Sequence, residues 1–195
     1  MAHTTYIEKK FDIGELKNIS AKTIEEHLKL YAGYVKHTNL ILDKITELSQ
    51  DTEKNVYTIG ELKRRLGFEF GGMRNHENYF QQFEGGAQAA NPESNVYKKI
   101  EEIWGSFDSW LAEFKTVAMT RGIGWAFLYF DQSTGNLINT WVGEQHEGHL
   151  TGLKPILGLD MWEHSFMLDV PPSEKKKYVE AFFENLNWGV VEARF

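Results

Sequence analysis

The sequence predicts an α+β protein: an N-terminal antiparallel helical hairpin, then a C-terminal α/β domain with a small, three-stranded antiparallel sheet. Three observations carry this. Apolar residues recur at helical spacing through residues 24–48 and again through 62–83. The polar connector at 49–55 is short enough to make those two helices antiparallel neighbours. Beyond Gly124 the period changes, and short aromatic and apolar runs alternate with turn residues.

Composition narrows the function classes. The chain has 195 residues, 42% of them hydrophobic, with 13 Phe, 8 Tyr and 6 Trp, enough for a packed interior. Its formal net charge of −7 argues against a nucleic-acid partner. With no Cys, disulfides, thiolate nucleophiles and Cys-bound zinc or iron–sulfur sites are excluded. Any metal must therefore be held by His and carboxylate. Residues 1–13 are polar and lack the apolar core of a signal peptide, and no run is long enough to span a membrane. The expectation is a soluble, cytoplasmic protein with no membrane partner.

Taken in order, residues 1–19 are irregular, with Phe11 and Leu16 as anchors. Ser20 reads as an N-cap, and Glu25 and Glu26 sit early in the helix, where its dipole favours acids. Ile24, Leu28, Tyr31, Val35, Leu42, Ile45 and Leu48 then mark about seven helical turns. His27 and Tyr34 share a face, with Tyr31 between them. The second helix is expected over 58–83, striped by Leu62, Leu66, Phe70, Met73, Phe80 and Phe83. His76 falls on that stripe and points inward. Gly71 and Gly72 cost a mid-helix position about 1 kcal/mol each relative to Ala, which signals a close approach beside His76.

The Gly-, Ala- and Pro-containing stretch 84–92 marks the boundary between a hairpin domain, 1–88, and an α+β domain, 89–195. Helices are expected at 96–104 and 107–119, the second capped by Ser106. A strand at 125–130, a turn at 131–136 and a returning strand at 137–142 follow. A loop with Gln145, His146 and His149 leads to a short strand at 156–159. A helix is expected to begin at 165–168 and the last to run over 174–186.

Asp160 and His164 lie four residues apart at the end of that short strand. A carboxylate with an imidazole suits a transition metal better than Mg or Ca. His27 and His76, one on each arm of the hairpin, complete a set of three His and one carboxylate. Each also has a plainer reading. An inward His can be a satisfied core residue, and a buried carboxylate can be compensated by an ion pair or a helix cap. His146 and His149 read as a solvated loop, and Lys175, Lys176 and Lys177 as a charged helix face. Spacing alone leaves both readings of the four-residue set open.

Asp160-Met161-Trp162-Glu163-His164 resembles the D-x-W-E-H motif of the iron/manganese superoxide dismutases. Gly122-Ile123-Gly124-Trp125-Ala126, Asn75-His76-Glu77-Asn78-Tyr79-Phe80, Gly105-Ser106-Phe107-Asp108, Asn187-Trp188 and Ser20-Ala21-Lys22-Thr23-Ile24 resemble further motifs of that family, in the family's order. The resemblance implies His27, His76, Asp160 and His164 as ligands of one Mn or Fe ion per subunit, in a site between the two halves. It implies superoxide as the substrate, and a homodimer or tetramer in which Glu163 reaches His164 of the partner subunit. Tyr34 resembles the Tyr at the mouth of the substrate channel. Gln145 resembles the Gln that hydrogen-bonds the metal's solvent ligand in manganese-type members, and since some members place a His there, His146 is the alternative. Iron-type members bring that Gln from the second helix, at the place of Gly72. The missing side chain there is expected to make room for Gln145, which leans towards manganese. Trp125 and Trp162 are implied as an apolar wall, and Lys175 stands where an Arg near the channel is common.

The chain also departs from the family. The channel Tyr usually follows the first His by eight residues, across a π-bulge; here the interval from His27 to Tyr34 is seven. The expectation is a regular helix, with Glu26 in the ligand place as the alternative. The family's second His on that helix is absent, with Leu30 or Tyr31 nearby. Its His-Ala-Tyr-Tyr run is His164-Ser165-Phe166-Met167 here, so both members of an inter-subunit pair are gone. Two other readings remain open: an inactive binding or assembly module of this fold, and a zinc hydrolase using the same ligands.

Overall fold

A computed structural model describes residues 3–195. Helix α1 spans Ala21–Leu48 and starts where Ser20 accepts a hydrogen bond from the Thr23 amide. It is α-helical throughout, without a π-bulge at His27–Tyr34. A single 3-10 turn, Ser49–Asp51, leads into α2, Thr52–Gln81. Asp51 caps α2 by accepting from the Lys54 amide. This helix therefore begins at Thr52 rather than at residue 58. Most of its first turns are exposed, so they carry no apolar stripe that would reveal them. The stripe itself also differs at Phe70, which is exposed and packs edge-on against Tyr6.

The C-terminal half opens with α3 (Asn95–Trp104) and α4 (Phe107–Ala118), capped by Ser94 and Ser106. Strands β1 (Gly124–Asp131), β2 (Asn136–Gly143) and β3 (Lys154–Asp160) form one antiparallel sheet in the order β2-β1-β3. β1 is central and buried from Gly124 to Tyr129, so it reads as a continuous apolar run rather than an alternating one. α3 and α4 pack on the sheet beside β1 and β2, and α2 packs against β3. Helix α5 covers Lys175–Asn185. A further short helix, α6, Trp188–Arg194, follows it and is capped by Asn187.

The helix expected to begin at 165–168 is instead a 3-10 turn at Glu163–Ser165 followed by turns. Phe166 is buried and stacks on Tyr178, while Met167 and Leu168 are 55% and 56% exposed. Two apolar residues facing solvent gave the segment a helical look without a buried face to sustain it.

The register of the sheet sets the position of Asp160. It is the last residue of β3 and pairs with Trp125 at the start of β1. Gln82 of the segment after α2 fixes β3 from outside: its side chain accepts from the Gly158 amide (2.8 Å) and donates to the Gly158 carbonyl (2.7 Å). The end of β3 is thereby held against the inner face of the hairpin.

Candidate metal centre

Four side chains, from α1, α2, β3 and the 3-10 turn that follows it, meet at the end of β3. Asp160 Oδ2 lies 3.0 Å from His27 Nε2, 3.2 Å from His164 Nε2 and 3.6 Å from His76 Nε2. One donor atom from each of the four residues lies within 4.8 Å of every other. His27, His76 and Asp160 are fully buried, and His164 is partly exposed. Two donors each about 2.1 Å from one ion stand about 3.0–3.6 Å apart at 90–120°, so this spacing is that of a coordination shell.

The donors themselves fit a metal. His76 Nδ1 is 2.6 Å from the Gly72 carbonyl, an acceptor only, so Nδ1 carries the proton. His76 Nε2 then presents a lone pair into the centre, where it has no hydrogen-bond partner. An orphaned lone pair in a buried site is costly unless something electropositive occupies the place it faces. Burial lowers His76 to about 3, with His27 acting in the same direction, and burial also lowers His27. Both rings therefore stay neutral, as ligands must. Burial alone would raise the Asp160 carboxyl. The His164 charge and hydrogen bonds from His164 and His27 outweigh it and hold the carboxyl well below its usual range. Asp160 Oδ1 is aimed by the Trp162 amide at 2.8 Å.

Beyond this set, Tyr34 and Gln145 meet. Gln145 Nε2 donates to the Tyr34 oxygen at 3.0 Å, and Trp125 Nε1 donates to Gln145 Oε1 at 2.9 Å. The indole thus fixes which end of the amide faces Tyr34. Tyr34 packs 5.0 Å from the His76 ring. Burial raises its hydroxyl above the ordinary phenol range, with Asp160 and Glu69 adding to the effect. Trp125 lies edge-on to His76 and Trp162 stacks on His164, each under 6 Å between rings (5.1 and 5.7 Å).

The helical glycines serve this cluster differently from the expectation. A Cβ on Gly72 would stand 2.5 Å from the Tyr34 ring, so Gly72 makes room for Tyr34, not for Gln145. It is Gly71 whose Cβ would strike the Gln145 carbonyl, at 2.2 Å. Glu26 stands on the surface, paired with Lys22 and Lys29, and is no part of the centre. Tyr31 is buried and turned away, accepting from the Lys9 amide and donating to Glu77, which also pairs with Lys9 and Arg74. Lys175 donates to the Thr120 carbonyl, and burial followed by the charge of Arg121 lowers its pKa.

Two histidines read as a solvated loop are instead partly buried. His146 packs edge-on against Phe68 and is partly buried. His149 bonds both the Tyr129 hydroxyl and the Gln145 carbonyl. Asn75, one residue before His76, also donates to that carbonyl, at 3.0 Å. Asn75 was visible in the sequence only as a neighbour of His76. Nothing local pointed to the link between His149 and Tyr129, since the two are twenty residues apart.

Comparison with known proteins accords with this geometry. The model of the family described as iron/manganese superoxide dismutases, C-terminal domain, matches residues 92–194. A superoxide dismutase [Fe] of Aquifex pyrophilus is 34% identical over 92% of this chain and 85% of its own length. One from Cupriavidus metallidurans is also 34% identical, over 93% of this chain and 90% of its own. A superoxide dismutase [Mn] of Mycolicibacterium smegmatis is 32% identical over 100% of this chain and 94% of its own. With a matching family model, nearly full-length relatives and three imidazoles converging on one carboxylate, the chain belongs to the iron/manganese superoxide dismutase family.

Proposed function

We propose that this chain disproportionates superoxide, two O2•− and two protons giving O2 and H2O2, at one Fe or Mn ion held by His27, His76, Asp160 and His164. The observation that carries the ligand assignment is the unpartnered His76 Nε2, aimed at the point where the other three donors converge. Bound by these residues, the ion would supply one-electron redox chemistry and a positive charge exceeding the single negative charge of Asp160. Trp125 and Trp162 line that place with apolar surface and restrict it to small species. Gln145 and Tyr34 manage protons. Because the Tyr34 oxygen accepts from Gln145, its own O–H is free to donate to an incoming anion. The raised pKa keeps that proton on the oxygen until it is taken up by an incoming anion.

The same reading includes a homodimer or tetramer built around Glu163 and His164. Glu163 is exposed beside Met167 and Leu168, an acidic and apolar surface that a second copy would cover. Light scattering should give at least twice the 22.6 kDa chain mass, falling to the chain mass in Glu163→Ala. A monomeric parent would refute the dimer. A cytoplasmic location is part of the proposal, in keeping with the bacterial relatives. Among the described residues, no helix is long and apolar enough to cross a membrane.

The function is tested by removing metal, reloading the protein separately with Fe, Mn and Zn, and assaying superoxide loss. Activity with Fe or Mn and none with Zn is expected. Inactivity with both redox metals overturns the reading.

A further inference from the structure

We propose that His149 and Tyr129 are positioning residues for the reaction: Tyr129 holds the His149 ring, and His149 holds the Gln145 main chain so that the Gln145 amide meets Tyr34. This rests on the role given to Gln145 above.

Gln145 sits in the turn after β2, next to Glu144, whose φ of +48° is unfavourable for a residue with a side chain. Such a turn needs outside support to keep one conformation. Gln145 receives it at both ends. Its side chain is gripped by Trp125 Nε1. Its carbonyl accepts from Asn75 Nδ2 at 3.0 Å and from His149 Nε2 at 3.3 Å.

The partners fix the proton positions on His149. The Gln145 carbonyl can only accept, so Nε2 carries the proton and donates. Nδ1 is then a lone pair and accepts from the Tyr129 hydroxyl. Burial lowers the pKa of this ring, which keeps it in the neutral form that this arrangement requires.

Both supports come from one face of β1. Trp125, Phe127 and Tyr129 alternate along that face, with neighbouring rings 5.8 and 5.5 Å apart. Trp125 holds the Gln145 side chain, Phe127 packs 5.5 Å from the His149 ring, and Tyr129 holds the far nitrogen of that ring. At Tyr129 the register with β3 slips, because Leu128 pairs with Leu157 and Tyr129 with Pro155, leaving Ile156 unpaired. Bulges of this kind re-aim side chains. The central strand is thus a template for the amide that faces Tyr34, although Tyr129 and His149 touch none of the four ligands.

The test uses the Fe- or Mn-loaded enzyme and the variants His149→Leu, His149→Gln, Tyr129→Phe and Gln145→Leu. The readouts are the midpoint reduction potential, the visible spectrum of the oxidised metal and the turnover rate. A displaced Gln145 should alter the potential, as removal of groups behind a metal shell does. His149→Leu should shift the potential in the same direction as Gln145→Leu and lower turnover about tenfold. Tyr129→Phe should give a smaller shift of the same sign. His149→Gln, which keeps an N–H donor near the Nε2 place, should return the potential most of the way to the parent value. The proposal is overturned if Gln145→Leu shifts the potential while His149→Leu and Tyr129→Phe leave it unchanged, whatever they do to thermal stability. If Gln145→Leu itself leaves the potential unchanged, the role of Gln145 is wrong and the positioning role falls with it. Should His149→Leu not fold, Tyr129→Phe against the parent decides.

Discussion

Asp160 Oδ2 has three imidazole nitrogens within 3.6 Å, and two of those rings are fully buried. Without metal this is a poor place to accept protons. His76 stays neutral down to about pH 3 when folded, but titrates near its ordinary 6.5 when unfolded. Between those values the unfolded chain binds more protons, so stability falls as pH falls. Asp160 acts in the same sense further down: its depressed carboxyl contributes stability above the unfolded value, near 3.8, and loses it on acidification. The metal-free protein should therefore lose stability below pH 6.5, by up to about 1.4 kcal/mol per pH unit for each such group. Urea midpoints across pH measure this, and a flat profile would contradict it. Gly72→Ala places a methyl 2.5 Å from the Tyr34 ring. It should cost about 1–3 kcal/mol and reduce turnover while metal is retained, as seen by thermal melts and metal content on one preparation. At this scale the sequence was uneven. His76 and His164 were legible because each sits on an apolar run or in a dense motif. His149 was not, because its neighbours Glu147 and Gly148 are exposed and its partner Tyr129 is distant in the chain. Gly72 was legible as a close approach, but periodicity gives a face and not its occupant.

At the scale of elements, Ser caps located α1 and α4 and the short run at 96–104 located α3, each to within a residue or so. The start of α2 and the segment at 165–168 were misread for opposite reasons. Exposed polar turns hide a real helix, and exposed Met167 and Leu168 imitate one. Strand order and register were beyond local reading, yet they are what bring Asp160 to Trp125. Gly158 shows how tightly that delivery is set. A Cβ there would lie 2.5 Å from the Phe127 ring and 3.0 Å from Asn78 Oδ1. Both backbone groups of Gly158 are already held by Gln82. Gly158→Ala should therefore push β3 outward, with a loss of about 1–3 kcal/mol and weaker metal retention, since Asp160 is two residues further on. Urea unfolding and metal stoichiometry check this, and a neutral variant would show that β3 can shift without moving Asp160.

The whole molecule depends on the hairpin and the sheet meeting. One core joins Tyr31, Met73 and Phe80 of the hairpin to Trp125, Phe127 and Leu159 of the sheet and to Phe182 of α5. The candidate metal centre lies in that seam, with two of its four side chains from each half. In a molecule of net charge −7, an ion held there would reverse the local sign and favour an anion. The function proposed here requires that these four residues hold the ion and that the ion performs the reaction. The most direct measurement is metal content beside superoxide dismutation for the parent and for His164→Ala, purified identically. About one Fe or Mn per parent chain with activity is expected, and the loss of both in the variant. A His164→Ala protein that keeps its metal and its activity would contradict that expectation.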